Sequence, residues 1–347
     1  MEISLSLAAR RATALQLAAL TELDPRRWAV GREERERDAL QHVTSLDEAV
    51  RQDSPAMFAS YIGRAKVLLA SRSTPDHAGE ELVSSLVSVR AAIAEQVGEG
   101  TPMLLLLDTT IELVPAMPAT RPSMIDPSAP HAELARRYLD MFLGNRRRDA
   151  SAMILEAVES GASVQDIYLH VFQPAQYEIG RLWELNELSA AQAHLATATT
   201  QMIMSQLYLH VFTHSPLSRT IVAACVSEDL HELGCRVLVD FFAMEGWDSH
   251  YLGASTPPDI LSDFAAKVQA DVVALSVSMI EHIPRLLETI AAVREASPDT
   301  VILVGGYPFL HDPQLCQSVG ADGTATDAST AMAVAWQLVE ARRAVGV

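Results

Sequence analysis

The stretch 220-TIVAACVSEDLHELG-234 decides how the last third of this 347-residue chain is read. Its first seven residues form an unbroken apolar run rich in β-branched side chains, as expected of a strand buried on both faces of a parallel sheet. An amphipathic helical pattern follows. Between the two stands His231, with an acid two residues before it and a glycine three after. The plain reading of 229-DLHE-232 is a helix start, with Asp229 as N-cap, Glu232 closing a capping box and His231 exposed in the first turn. The chemical reading is a ligand loop. An imidazole binds metal through one neutral nitrogen and commonly hands its other N–H to a carboxylate, a role within reach of Asp229. One histidine does not satisfy a bare zinc ion, which takes about four ligands. It does supply one axial ligand to a metal already held by a macrocycle.

Working outward, residues 218–347 keep the rhythm of that opening. Strand-like runs at 220–227, 248–253, 271–278, 300–306 and 321–326 alternate with helical patterns at 231–245, 257–270, 283–297, 312–319 and 328–343. This predicts an α/β unit with a five-stranded, doubly wound, flavodoxin-like (Rossmann-like) parallel sheet. Ligands bind such sheets outside the carboxyl ends of the strands. The unusual residues fall there: Asp229, His231 and Gly234; 276-SVS-278; 305-GGYP-308; Thr326 and Asp327. There is no GxGxxG after the first strand and no GxxxxGK[ST], so a dinucleotide or nucleoside triphosphate is poorly supported. The glycine pair ends the fourth strand instead, where a bulky ligand group can approach the backbone.

The rest of the chain reads as all-α. Residues 1–120 carry apolar residues at three- and four-residue spacing over 5–23, 56–71, 80–97 and 102–114, with no catalytic motif. The segment 115-PAMPATRPSMIDPSAP-130 has five prolines, too many for a helix or central strand, and reads as a linker or a loop draped over a neighbour. Helices then follow at 132–143, 148–160, 164–185 and 189–212, a four-helix bundle with breaks at Gly144-Asn145, Gly161 and 186-NEL-188. Ser189 and Gln192 form a capping box that fixes the start of the last helix. The domains expected are 1–120, 121–215 and 216–347.

Composition narrows the function. Apolar residues make up 49% and charged ones 20%, enough to bury large cores. Net charge is −18, which repels phosphate backbones and argues against direct nucleic-acid binding. The short basic runs Arg10-Arg11 and 146-RRR-148 read as solvated helix faces. No apolar run approaches a bilayer span, and MEISLSLAARRATALQ lacks signal-peptide order, so a cytoplasmic, non-membrane protein is expected. The three cysteines, Cys225, Cys235 and Cys316, have no CxxC spacing and read as small buried hydrophobes.

The residues 229-DLHELG-234 resemble the D-x-H-x-x-G signature of the cobalamin-binding Rossmann-like domain, with Ser276-Val277-Ser278 and Gly305-Gly306 matching its serine and glycine elements in order. The resemblance implies that His231 is the lower ligand of cobalt, that Asp229 supports it, and that the displaced dimethylbenzimidazole tail enters a slot lined by Ser276, Ser278, Gly305 and Gly306. Glu232, Gly234, Tyr307 and Thr326 are the further cofactor contacts expected around this rim. The third position of the serine element departs from Leu or Thr, which leaves the role of Ser278 open. In this family a helical bundle covers the upper face of the ring, and 183-WELNELSAAQAH-194 resembles the W-x9-E-H pattern of light-sensing adenosylcobalamin repressors. Trp183 and His194 match, while Ala193 stands at the glutamate position and Glu184 where a capping histidine is found. The bland alternatives are core packing for Trp183, a local hydrogen bond for His194, and gap-filling for Met202 and Met204.

The resemblance implies a photoreceptor in which light cleaves the Co–C bond of adenosylcobalamin and domain, oligomer or partner contacts change. A photocobilin-type variant adds biliverdin as a second, non-covalent chromophore; residues 1–120, expected to be a docking, dimerisation or ligand-binding module, and the altered upper-face pocket leave room for it. The alternatives are a corrinoid methyl carrier of a methyltransferase system, the one reading that makes the chain an enzyme component, and a light-independent cobalamin-sensing adaptor.

Overall fold

The computed structural model describes residues 5–22, 32–72, 74–185, 187–211 and 215–345. The start of the segment read for a signal peptide, Asn186 in the predicted break and Phe212 at the predicted end of the bundle lie outside them. The chain forms two compact units, Met1–Arg121 and Pro122–Val347.

The first unit is all-α: α1 (Leu5–Glu22), α2 (Arg32–Arg51), α3 (Pro55–Arg72), α4 (Pro75–Val97) and α5 (Pro102–Leu113), closed by a 3-10 turn at Val114–Ala116. Prolines open α3, α4 and α5 at positions where their missing N–H is harmless. Helix α2 is not among the predicted ones. Its inward face mixes Ala39, Val43 and Leu46 with buried Arg35, His42, Ser45 and Glu48, which blurs the apolar period. Inside the unit, His42 Nδ1 lies 2.7 Å from the Tyr61 hydroxyl. The buried Lys66 ammonium donates to the carbonyls of Val114 (2.8 Å), Pro115 (3.3 Å) and Met117 (2.6 Å), satisfying acceptors that the end of α5 leaves open. Arg10 and Arg11 pair with Glu36 and Glu95 on this unit's surface.

The second unit begins with the latter part of the proline-rich segment, from Pro122. It lies along the bundle, where the Met124 N–H donates to buried Glu178 (2.7 Å). The bundle comprises α6 (Ala132–Leu143), α7 (Arg147–Glu159), a third helix in three parts, and α10 (Ala190–Gln206). The parts of the third helix are α8 (Val164–Ile167), a π-helical turn (Tyr168–Phe172) and α9 (Gln173–Glu184). The Ser189–Gln192 capping box is present in both directions. Arg146, Arg147 and Arg148 are exposed at the start of α7.

The sheet follows, all parallel and in the order β2-β1-β3-β4-β5. Its elements are β1 (Thr220–Val226), α11 (Leu233–Met244), β2 (Asp248–Thr256), α12 (Pro258–Lys267), β3 (Val272–Ser276), α13 (Ile283–Ala296), β4 (Val301–Gly305), α14 (Tyr307–His311), α15 (Leu315–Ser318), β5 (Gly323–Thr324) and α16 (Ala328–Val345). This is the flavodoxin-like order, with its topological switch between β1 and β3. The predicted helix 312–319 is only the short α15 (Leu315–Ser318), and the unpredicted α14 precedes it, opened by Tyr307-Pro308 directly after the glycine pair.

One hydrophobic core joins bundle and sheet. Tyr138, Ile154, Tyr168, Phe172 and Ile203 of the bundle pack with Val237, Phe241 and Met244 of α11. A second core lies under the sheet, where alternate β1 residues Ile221, Ala223 and Cys225 meet Val239, Phe242, Ala335 and Val339. All three cysteines are free and buried. Among the described residues no helix is long and apolar enough to cross a membrane.

Candidate functional site

The register of β1, β3 and β4 places Cys225, Ser276 and Gly305 level at the carboxyl rim of the sheet. Just above this line, the loop after β1 carries the histidine. Glu228 and Ser255 both adopt positive φ (70° and 48°), a conformation held against strain by reciprocal contacts. The Glu228 N–H donates to Ser255 Oγ (2.9 Å), and the Ser255 N–H donates to the Asp229 carbonyl (2.9 Å). The loop is thereby pinned to the end of β2.

Asp229 points inward and is 0% exposed. Its Oδ1 accepts from the His231 N–H (3.0 Å) and the Ser278 hydroxyl (2.7 Å), and its Oδ2 accepts from the Ser278 N–H (2.5 Å). His231 Nδ1 lies 3.2 Å from Asp229 Oδ1 and 2.8 Å from Ser278 Oγ. Burial pushes the Asp229 carboxyl upward, but the hydrogen bonds from His231 and Ser278 outweigh it and hold the group well below the usual carboxylate range. The hydrogen bond to Asp229 raises His231 above the ordinary imidazole value, against the opposing effect of burial. With Asp229 ionised, the ring proton sits on Nδ1, and the Nε2 lone pair faces away. The His231 side chain is 67% exposed, and among the described residues Nε2 has no hydrogen-bond partner.

The helix-start reading of 229-DLHE-232 does not hold. Helix α11 begins at Leu233, and Glu232 makes no capping bond. Its Oε1 accepts from Gln201 Nε2 (2.7 Å), and its Oε2 accepts from the Tyr251 hydroxyl (2.7 Å), so the carboxylate turns toward protein partners. Gly234 leaves open space where a β-carbon would stand.

The glycine pair divides its work. At Gly306 (φ 109°) a β-carbon would fall 1.9 Å from the Val277 carbonyl oxygen, so only glycine closes this crossing. At Gly305 a β-carbon would meet nothing within 4 Å, which leaves an open flank on β4 beside Ser276. Ser278, expected to line that slot, joins the Asp229–His231 pair: its backbone and hydroxyl both donate to Asp229. The Tyr307 ring stands against His311, 4.3 Å between centroids. The Thr326 hydroxyl donates to Asp327 Oδ2 (3.1 Å), and Asp327 Oδ1 accepts from the Thr330 N–H (2.8 Å), which fixes the start of α16. This corner borders a cleft of about 400 Å³ lined also by His170, Gln173 and Tyr177 from the bundle.

His282 is a site residue that sequence reading missed. It ends a 3-10 turn after β3, and its buried Nδ1 lies 3.5 Å from Asp229 Oδ2 without a hydrogen-bond partner. Its position four residues past Ser278 was the sole sequence trace.

On the cap, the core reading fails for two residues. Trp183 is 49% exposed and Met202 is 48% exposed, whereas Met204 is buried as expected. His194 is exposed and, among the described residues, makes no local hydrogen bond. Gln201 and Ser205 of α10 face α11 through Glu232 and Arg236. Residues three, four and seven apart share a helix face, so Ala198 and His194 continue that face toward the N-terminus of α10.

Comparison with known proteins agrees with this geometry. The B12 binding domain family matches residues 219–333, and a second B12 binding domain family matches residues 134–208. The chain is a cobalamin-binding-domain protein. Its relatives include the HTH-type transcriptional repressor CarA of Myxococcus xanthus, 29% identical over 195 residues, which are 55% of this chain and 65% of the repressor. The chain thus spans just under two thirds of that relative. Dimethylamine corrinoid protein 1 of Methanosarcina acetivorans is 23% identical over 197 residues, 56% of this chain and 92% of that protein. Among solved structures, the monomethylamine corrinoid protein of Methanosarcina barkeri superposes with a TM-score of 0.54 at 17% identity, over 61% of this chain and 100% of that one, and shows the shared fold.

The residues present fit a corrinoid. The cobalamin-binding domain offers an outward Nε2 on a ring fixed from behind and an open flank at Gly305. Among its described residues, and those of the whole chain, no cluster of three or more His, Cys, Asp or Glu stands ready for a bare ion.

Proposed function

We propose that this chain is a cobalamin-dependent light sensor of the cytoplasm that passes its signal to a partner protein or through its own oligomeric state. The observation that carries the reading is the exposure of Trp183 and His194, two side chains that the bundle leaves out of its core, on packed helices above a sheet that presents His231 Nε2. When bound, adenosylcobalamin supplies a cobalt–carbon bond that visible light breaks. His231, oriented by Asp229 and Ser278, would hold the metal, and Ser276 and Gly305 would line the path of the nucleotide tail. The exposed Trp183 and His194 would contact the cofactor from the cap. Ala193 offers no acceptor for ribose hydroxyls, so His194 is the side chain left to approach the upper face. The net charge of −18 favours a protein output over one bound to nucleic acid.

Biliverdin fits the same scheme as a second chromophore for the unit Met1–Arg121. That unit contains no cysteine, so the pigment is held without a covalent bond.

A second reading is favoured by the coverage of the methylamine corrinoid proteins, since cap and sheet alone account for nearly all of such a chain. Here the protein carries a methyl group between methyltransferases. Absorption spectra of the adenosylcobalamin-loaded protein, in darkness and after illumination, run beside gel filtration, separate the two. Bleaching by light with a change of elution supports the sensor. Dark turnover of methylcobalamin by an acceptor, with no light response in elution or partner binding, assigns the carrier. Cobalamin-dependent partner binding that is identical in dark and light, without methyl turnover, assigns an adaptor. A red band after expression with biliverdin supports the second pigment, and its absence removes it.

A further inference from the structure

We infer that Glu232 is the tie by which a change at the His231 ring reaches the helical cap, with Gln201 as its anchor on α10. The inference rests on the reading of His231 as the cobalt ligand. Glu232 follows His231 directly, so their Cα atoms lie about 3.8 Å apart and neither moves alone. Its carboxylate is held on two sides, by Gln201 Nε2 from the cap (2.7 Å) and by the Tyr251 hydroxyl from β2 (2.7 Å).

The contact belongs to a ladder. Four residues after Gln201, Ser205 Oγ accepts from Nη2 of Arg236 (2.9 Å), which is four residues after Glu232. Both helices thus present partners at one-turn spacing. Asp240, one turn further along α11, accepts from the Tyr168 hydroxyl in the π-helical turn (2.9 Å). The first rung alone adjoins the ligand loop. On the other side of His231, Asp229 is fixed to the end of β3 by two bonds from Ser278. With that end of the loop pinned, a shift of the ring is taken up at Glu232, and the cap-side contact of Glu232 is Gln201. His194 lies on the same face of α10, two turns away. Glu232 is thus a positioning residue that links the lower ligand to the helix carrying an upper-face side chain.

The test is a double-mutant cycle in the full chain loaded with hydroxocobalamin, read by hydrogen–deuterium exchange of the α10 amides between Ala198 and Gln206. The four proteins are the wild type, His231→Ala, Gln201→Ala and the double variant. Any effect of His231→Ala on a direct contact of the corrin with α10 is the same with and without Gln201 and cancels. The expected result is that His231→Ala speeds α10 exchange about tenfold in the wild-type background and less than twofold when Gln201 is absent, in line with losing one hydrogen bond to a carboxylate. Equal acceleration in both backgrounds overturns the tie. Gln201→Met, which keeps the side-chain length without the donor, repeats the cycle if the alanine variant loads poorly. Cobalt absorption spectra separate the two possible failures. If His231→Ala keeps the wild-type spectrum, the ligand assignment falls and the inference falls with it. If the spectrum changes while the accelerations stay equal, the tie alone is wrong.

Discussion

Gly306 and Val277 approach so closely that a β-carbon on the glycine would fall 1.9 Å from the valine carbonyl oxygen. The Val277 N–H in turn donates to the Gly305 carbonyl at 2.9 Å, so the crossing at the ends of β3 and β4 is locked from both strands. Gly306→Ala has no room to relax without moving backbone. It is expected to destabilise the fold by about 3 kcal/mol or more, measured by urea unfolding of the cofactor-free protein. Gly305→Val is the contrasting variant. Its side chain enters open space, so unfolding should change little while cobalamin affinity, measured by equilibrium dialysis, falls at least about tenfold. Equal affinity for Gly305→Val and wild type would remove the slot from β4.

Asp229→Asn keeps the shape of the buried side chain and loses its charge. An amide cannot accept from the Ser278 N–H, the Ser278 hydroxyl and the His231 N–H as the carboxylate does. A loss of about 2–3 kcal/mol is expected in the cofactor-free protein. In the loaded protein the His231 ring loses its orienting partner, and the fraction of histidine-ligated cobalt, read by absorption, should fall. A variant as stable as wild type would show that the loop does not depend on Asp229.

His42 gives the first unit a pH signature. Burial takes its pKa from 6.5 down to about 4. The folded state therefore keeps the ring neutral between these values while the unfolded chain takes up the proton. Because the unfolded state binds more protons there, stability rises with pH through the window and is lost as pH falls toward 4. The size is about 3 kcal/mol between pH 7 and pH 4. The difference between wild-type and His42→Gln urea midpoints at pH 7 and pH 4.5 isolates this group. A difference that does not change with pH would contradict the buried neutral ring.

Trp183→Ala tests the cap without disturbing its core. A residue 49% exposed should leave cofactor-free stability within about 1 kcal/mol of wild type, whereas Tyr138→Ala, fully buried, should cost about 3–5 kcal/mol. Retention of adenosylcobalamin in darkness should nonetheless weaken about tenfold in Trp183→Ala, measured by dialysis. Unchanged retention would take Trp183 off the upper face.

The sheet was legible because each strand writes its burial into a short apolar run, and parallel pairing demands the helices between. The glycine pair and 229-DLHELG-234 were legible because backbone crossings and ligand loops restrict residue type. Other features escaped for physical reasons. Helix α2 turns Arg35, His42 and Glu48 inward, so its period carries no clear apolar stripe. The partners of Glu232 come from residues 31 positions before it and 19 after it, on elements brought together only by folding. The bonds from the Ser278 hydroxyl and N–H to Asp229 escaped because that carboxylate lies 49 residues earlier in the chain. Trp183 and Met202 were ambiguous for a simpler reason: large apolar side chains look alike in sequence whether they fill a core or stand exposed.

The π-helical turn at Tyr168–Phe172 sets the rotational phase of everything after it. Tyr168 and Phe172, the two ends of that turn, are buried, and Trp183 emerges exposed at the end of α9. One residue of an α-helix corresponds to about 100° of rotation. Removing a single residue from the turn would leave the composition of the third bundle helix almost unchanged, yet swing Trp183 by more than a quarter circle and bring Ile179 and Leu182 out toward water. For this bundle, the indexing of one helix is as much a determinant of which face is left open to solvent as the identity of any side chain upon it.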